Sequence, residues 1–196
     1  MKGKQKIIFL DIDGVLNGYN FWNTLGWDII CFLHLSQKCK GWYRKLTKPT
    51  GVHKSKVKRL SKLVKETNAK IVVSSTWRVS IWKYLVSGET CSENVKYLVN
   101  LFKYYGIEVV GITPYSSSTT KRREEEIKLW LSDNIDYVES FVVLDDEKFD
   151  LQSFVGTRLI QTKKGKGRFT YLGLTNKNAE EAILILDNPI MEEESK

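Results

Sequence analysis

The sequence predicts an α/β fold built on a parallel sheet, and three observations lead there. Short apolar runs of strand length alternate with helical patterns along the chain, which implies parallel strands joined by right-handed crossovers. Three of those runs end in side chains suited to chemistry rather than packing: Ile7 to Leu10 ends in Asp11-Ile12-Asp13-Gly14, Lys70 to Val73 in Ser74-Ser75-Thr76-Trp77-Arg78, and Phe141 to Leu144 in Asp145-Asp146. The length of 196 residues suits one domain, 1–196, with a core large enough to need no staples.

Taken in order, strands are expected at about 6–10, 70–74, 107–111, 140–144 and 157–161, and helices at about 54–67, 93–105, 121–133 and 175–185. The helix over 121–133 starts with Lys121-Arg122-Arg123 and places Ile127, Trp130 and Leu131 on one face. Asn17 to His53 is irregular and stands as an insertion after the first strand. No internal repeat or low-complexity linker is visible. Ligands of open parallel sheets bind beyond the carboxyl ends of the strands. Asp11, Ser74 and Asp145 all occupy such ends, so one shared site is expected.

Composition narrows the classes. Hydrophobic residues make up 42 % and charged residues 28 %, as in soluble globular proteins. The longest apolar run, Ile29 to Leu35, is far too short to cross a bilayer, and no membrane association is expected. Lys2, Lys4 and Lys6 precede a strand rather than the core of a signal peptide. Three cysteines, an odd number, point to free thiols and a cytoplasmic protein. The net charge is +8, and Ser36 to Lys65 holds eleven Lys or Arg and no acid. A basic stripe suits a polyanionic substrate, although lysines on the 54–67 helix also serve simply to solvate its outer face. No G-x-x-x-x-G-K-[ST] loop occurs, and no protein partner is evident.

The carboxylate pair is the most informative feature. Strand alternation would aim Asp11 and Asp13 the same way, and Gly14 would let the chain turn sharply beneath them. Adjacent like charges call for a cation or a shared proton. The hydroxyls of Ser74 and Ser75, with the amides that follow, suit an anionic oxygen. In sequence, the order is strand and acid pair, strand and hydroxyls, basic helix, strand and acid pair. This resembles the four motifs of the haloacid dehalogenase (HAD) superfamily of aspartate-nucleophile phosphatases over about residues 5 to 180. The Phe9 to Asn17, Ser74 to Arg78 and Arg123 to Leu131 stretches look most like the HAD-type domain of RNA-repair proteins. They are similar, more distantly, to the phosphatase half of polynucleotide kinase-phosphatases.

The resemblance implies a Rossmann-like three-layer sandwich in which 17–53 forms a small cap or flap over the site. It makes Asp11 the nucleophile and Asp13 the general acid and base, with Mg2+ held by Asp11, the Asp13 carbonyl and Asp145. Asp146 is either a further ligand or an acceptor that orients the others, with Asp150 a weaker candidate. Ser74 and Ser75 would bind phosphate, with Ser74 favoured as the first residue past the strand. Lys121, Arg122 and Arg123 compete for the basic position; Arg123 matches the R-x-x-E-I pattern, with Lys121 second. Arg78 would reach a substrate phosphate or pair with a surface acid. Trp22, Trp42 and Tyr43 are the stacking candidates among the aromatics of the insertion, which could instead form its own small core. A rival set, Cys31, His34, Cys39 and His53, has partial zinc-ligand spacing, but Cys31 and His34 sit inside an apolar run.

The expected function is therefore a Mg2+-dependent phosphatase acting on a phosphorylated nucleic acid end or nucleotide. A phosphatase of sugar or other metabolite phosphates and a catalytically silent nucleic-acid-binding module are the alternatives.

Overall fold

The computed structural model describes residues 3–17, 51–115, 122–162 and 173–190. Among them, five strands, β1 (Gln5–Leu10), β2 (Lys70–Val73), β3 (Val109–Ile112), β4 (Val138–Asp145) and β5 (Leu159–Gln161), form one parallel sheet in the order β3-β2-β1-β4-β5. Five α-helices among the described residues accompany it: α1 (Lys54–Thr67), α2 (Arg78–Ser87), α3 (Glu93–Tyr105), α4 (Arg122–Asn134) and α5 (Asn176–Leu186).

Alternation along each strand divides the core in two. Ile8, Leu10, Ile71, Val73, Val142 and Leu144 point to one side and pack with residues of α1, α2, α3 and α5. Ile7, Phe9, Val72, Phe141 and Val143 point to the other, where Ile127 and Trp130 of α4 cover them. The result is three layers. Aromatic edges fix the thinner layer: Phe9 meets Trp130 at 5.4 Å and Phe141 at 5.8 Å, both edge-to-face.

The strand ends are level at the carboxyl edge. Leu10 stands opposite both Val73 and Leu144. The ladder continues one residue further, with Asp11 N donating to Leu144 O at 3.0 Å and Ser74 N to Leu10 O at 3.0 Å. Beyond Asp11 the chain turns: Val15, Leu16 and Asn17 all donate to Ile12 O. The expectation that Asp11 and Asp13 aim alike is therefore corrected, because strand alternation ends with β1. Asp11 is buried and Asp13 is exposed.

Most elements fall within two residues of their predicted bounds. Helix α2 has no counterpart in the sequence reading; its run RVSIWKYLVS is rich in β-branched and aromatic residues and carries no clear apolar stripe, with only Arg78 and Ile81 buried. Of the 17–53 insertion, only the stem is described: Asn17 bridges Val52 in antiparallel fashion, and His53 N donates to Leu16 O at 2.9 Å.

Helix α4 adheres to the sheet largely through Ile127, which is fully buried, and Trp130. Ile127→Ala is expected to lower stability by about 2–5 kcal/mol, read by urea denaturation. An effect below about 1 kcal/mol would show that α4 is held elsewhere.

Candidate active site

Three carboxylates converge at the level strand ends. Asp11, Asp145 and Asp146 each offer an oxygen within 4.8 Å of the others. Asp11 and Asp145 continue the faces of Phe9 and Val143, toward α4, and Arg123 in the first turn of α4 meets them there. Its guanidinium pairs with Asp145 and lies 3.3 Å from Asp11 Oδ1. Asp150 holds the start of the helix: its carboxylate accepts from Arg123 N at 3.4 Å and its carbonyl from Glu124 N at 3.0 Å. It thus positions the basic residue rather than joining the three converging acids.

One guanidinium does not neutralise this cluster. Burial, with the neighbouring Asp145 charge adding to it, pushes the Asp11 carboxyl up to about 7, against the opposing pull of Arg123 and a hydrogen bond from Ser75. Burial also raises the Asp145 carboxyl, although Arg123 and the Glu147 amide pull it down. Arg123 is itself opposed by burial, but Asp145 and Asp11 outweigh that and hold its proton more firmly than usual. An all-oxygen set with a deficit of positive charge fits a hard divalent cation. Asp11, Asp145 and Asp146 are the residues that could hold it.

Gly14 makes the cluster possible. Its φ is +75°, and a Cβ there would stand 2.3 Å from Asp146 Cγ. Its carbonyl accepts from Thr162 Oγ1 at 2.9 Å, which ties the turn to the residue after β5. Asp13 stands outside the cluster; its two oxygens accept from Trp77 Nε1 at 3.0 Å and Asn17 Nδ2 at 2.5 Å.

The two serines part company. Ser75 donates to Asp11 and accepts weakly from Trp77 N at 3.4 Å. Ser74 is fully buried, and its hydroxyl has no partner, as is also true of Thr113 past β3. An unpartnered buried hydroxyl is costly unless something supplies its partner. Arg78 faces a buried acid rather than a surface one: it pairs with Glu126 at 2.9 Å, donates to Ser75 O at 3.2 Å and stacks 4.2 Å from the Tyr115 ring. Its side chain is 5 % exposed. Lys121, Trp22, Trp42 and Tyr43 lie outside the described residues, as do Cys31, His34 and Cys39; His53 is described and precedes α1. Arg122 is exposed, on the first residue of α4. Sequence reasoning missed Asn17, Trp77 as a donor, Thr113 and Glu126. A conceivable signal was the amide side chain four residues after Asp13, in reach across one turn.

Residues 7–179 match the family described as the HAD domain in Swiss Army Knife RNA repair proteins. No curated protein and no solved structure matches the chain. The match spans most of the sequence, so the chain belongs to this family of phosphatase-type hydrolase domains. No helix among the described residues is long and apolar enough to cross a membrane.

The raised Asp11 carboxyl gives a signed expectation. The folded protein binds a proton more tightly than the unfolded chain between about pH 4 and 7, so without metal its stability falls as pH rises through that window. Thermal melts in chelator should show a lower Tm at pH 7.5 than at pH 5, and added Mg2+ should raise Tm more at pH 7.5, where its ligands are deprotonated. A Mg2+ effect that is larger at pH 5 would contradict this. For Arg78, removal of one partner of a buried ion pair should cost about 3–5 kcal/mol. Arg78→Ala is therefore expected to show a loss of that size in denaturant unfolding, and a loss under about 1 kcal/mol would leave Arg78 free for a substrate role.

Proposed function

From this membership and the three converging carboxylates, we propose that the protein is a magnesium-dependent phosphatase that removes a terminal phosphate from a nucleic acid end or nucleotide. The observation that carries the reading is the buried Asp11 beside Asp145, Asp146 and Arg123 at the carboxyl edge of the sheet. Magnesium, held by Asp11, Asp145, Asp146 and the Asp13 carbonyl, would neutralise charge so that an anionic nucleophile can approach an anionic ester.

Asp11 attacks phosphorus, and the bond from phosphorus to the ester oxygen breaks as that oxygen takes a proton from Asp13. Water then attacks the aspartyl-phosphate and gives its proton back to Asp13. Inorganic phosphate leaves, and Asp11 is again a carboxylate. The unpartnered Ser74 hydroxyl suits a phosphoryl oxygen, with the Ser75 and Thr76 amides beside it. Arg123, already between two carboxylates, is placed to share its donors with the phosphate.

A polymeric substrate is favoured by α1. Lys54, Lys58, Lys62 and Lys65 are all exposed along the helix. Successive lysines four apart rise by about 6 Å, inside the screening length of about 8–10 Å, so their fields add. Lys54 starts this row next to His53, whose amide is bonded to Leu16 in the turn that follows Asp13. It also lies 5.5 Å above the exposed Tyr104 ring. The family's association with RNA repair agrees with an end-processing role.

The test is Mg2+-dependent phosphate release from 3′- and 5′-phosphorylated oligonucleotides, mononucleotides and sugar phosphates, with wild type and Asp11→Asn. Release from oligonucleotide ends, abolished in Asp11→Asn, is expected; turnover of sugar phosphates alone would overturn the polymer reading, and no turnover would overturn the phosphatase. For α1, Lys54→Glu, Lys58→Glu and Lys62→Glu combined should raise the oligonucleotide KM about tenfold or more. They should also flatten its dependence on log salt by about 2, from roughly 0.7 per lost contact on a single strand. An unchanged salt slope would make the row a solvated face.

A further inference from the structure

We propose that Asn17 and Trp77 are positioning residues that grip the Asp13 carboxylate from both sides and set it for proton transfer with the ester oxygen. The inference rests on the phosphatase reading above and extends it to two side chains that reading does not use.

Asp13 needs such a grip. It is exposed, it stands in a turn, and the residue after it has the φ of +75° that only glycine adopts freely. A carboxylate so placed rotates among several rotamers unless its oxygens are held, and proton transfer requires it to stay within hydrogen-bond reach of one atom. Trp77 Nε1, which can only donate, meets Oδ2 at 3.0 Å, and Asn17 Nδ2 meets Oδ1 at 2.5 Å.

The orientation of the Asn17 amide follows from its surroundings. Its Oδ1 accepts from Gly14 N at 2.7 Å, so the opposite, donating edge faces Asp13. Its backbone is fixed as well: N donates to Ile12 O at 3.2 Å, O accepts from Lys56 Nζ at 3.0 Å, and the residue bridges Val52. Lys56 is 6 % exposed, and Gly173 packs so closely on it that a Cβ there would lie 2.5 Å from Nζ. Trp77 is anchored from the other side of the site. It directly precedes α2, with its carbonyl accepting from Ile81 N at 3.0 Å and its amide turned to Ser75 Oγ. The grip thus joins the turn after β1 to the start of α2, and neither anchor uses the Asp13 side chain.

In the first step, the oxygen leaving phosphorus takes the proton of Asp13 together with the bond's electron pair. An alkoxide needs that proton; p-nitrophenolate hardly does. Loosening the carboxylate should therefore lower kcat/KM, which reports this first step, selectively for alkyl phosphates. Slower hydrolysis of the common aspartyl-phosphate would lower kcat alike for all esters, and a general structural defect would lower kcat/KM on all of them. The experiment compares kcat and KM for an alkyl phosphate, phenyl phosphate and p-nitrophenyl phosphate in wild type, Trp77→Phe, Asn17→Ala and Asp13→Asn, and adds each of the two changes to Asp13→Asn. We expect kcat/KM on the alkyl ester to fall about tenfold or more in Trp77→Phe and Asn17→Ala, and on p-nitrophenyl phosphate less than threefold. Neither change should lower kcat/KM further once Asp13 is Asn.

Equal losses of kcat/KM on all three esters, or further losses of kcat/KM in the Asp13→Asn background, would overturn the grip while leaving the phosphatase intact. A wild type that hydrolyses none of the esters would overturn the phosphatase itself, and the proposal with it. A second readout needs no turnover. The indole N–H resonance of Trp77, identified by its disappearance in Trp77→Phe, should shift in Asp13→Asn, and an unmoved resonance in folded protein would also overturn the grip.

Discussion

Repulsion between two buried carboxylates is the constraint to which the rest of this structure answers. Asp11 follows β1 and Asp145 ends the neighbouring parallel strand β4 in level register, so the sheet itself forces them into one space. Two unit charges about 5 Å apart repel by roughly 3–4 kcal/mol at an effective dielectric near 20. That is a sizeable part of the ~5–15 kcal/mol that holds a whole domain folded. Arg123 supplies one compensating charge. Its place depends on α4, and α4 depends on Ile127 and Trp130 against the Phe9 side of the sheet. Hydrophobic packing on one layer thereby sets the electrostatics at the sheet's edge, and the remaining negative charge fits a divalent cation.

The parts legible in the sequence share one property: they are local. Apolar runs ending in acids announced β1 and β4, and a one-sided apolar pattern with a basic start announced α4 and Arg123. The same reading failed at Asp13, because alternation applies only while the chain stays extended, and the Gly14 turn ends it immediately after the first acid. It also missed α2, where Val79, Ile81 and Trp82 fit a strand as well as a helix and where the buried residues make no stripe. Boundaries, by contrast, slipped little, since in a parallel sheet the strand ends are fixed by the register with their neighbours.

What stayed hidden is long-range pairing of polar groups. Nothing local says that Trp77 reaches Asp13 across 64 residues, or that Arg78 finds Glu126 across 48. The second pair has a plain physical role. Arg78 also donates to Ser75 O, so the ion pair braces the backbone that presents Ser75 to Asp11. A guanidinium at 5 % exposure opposite a carboxylate at 2 % exposure is held by mutual need, since either alone would bear the full penalty of burial. The basic residue nearest the serines is thus engaged in holding the wall of the site, and the one that faces the buried carboxylates comes from the opposite layer of the fold.

The two acids of the first motif, two residues apart, are placed in opposite media, and the proposed chemistry requires that they be. A nucleophile gains from a dry setting, where Arg123 and a bound cation act on it at low dielectric and water cannot compete for phosphorus. An acid that must later take a proton from water cannot be sealed in the same way. Burial of Asp11 with exposure of Asp13 resolves this conflict, but it leaves Asp13 without the packing that fixes most functional side chains. Direct hydrogen bonds to its two oxygens replace that packing, which is why the exposed acid, and not the buried one, carries an indole and an amide as partners.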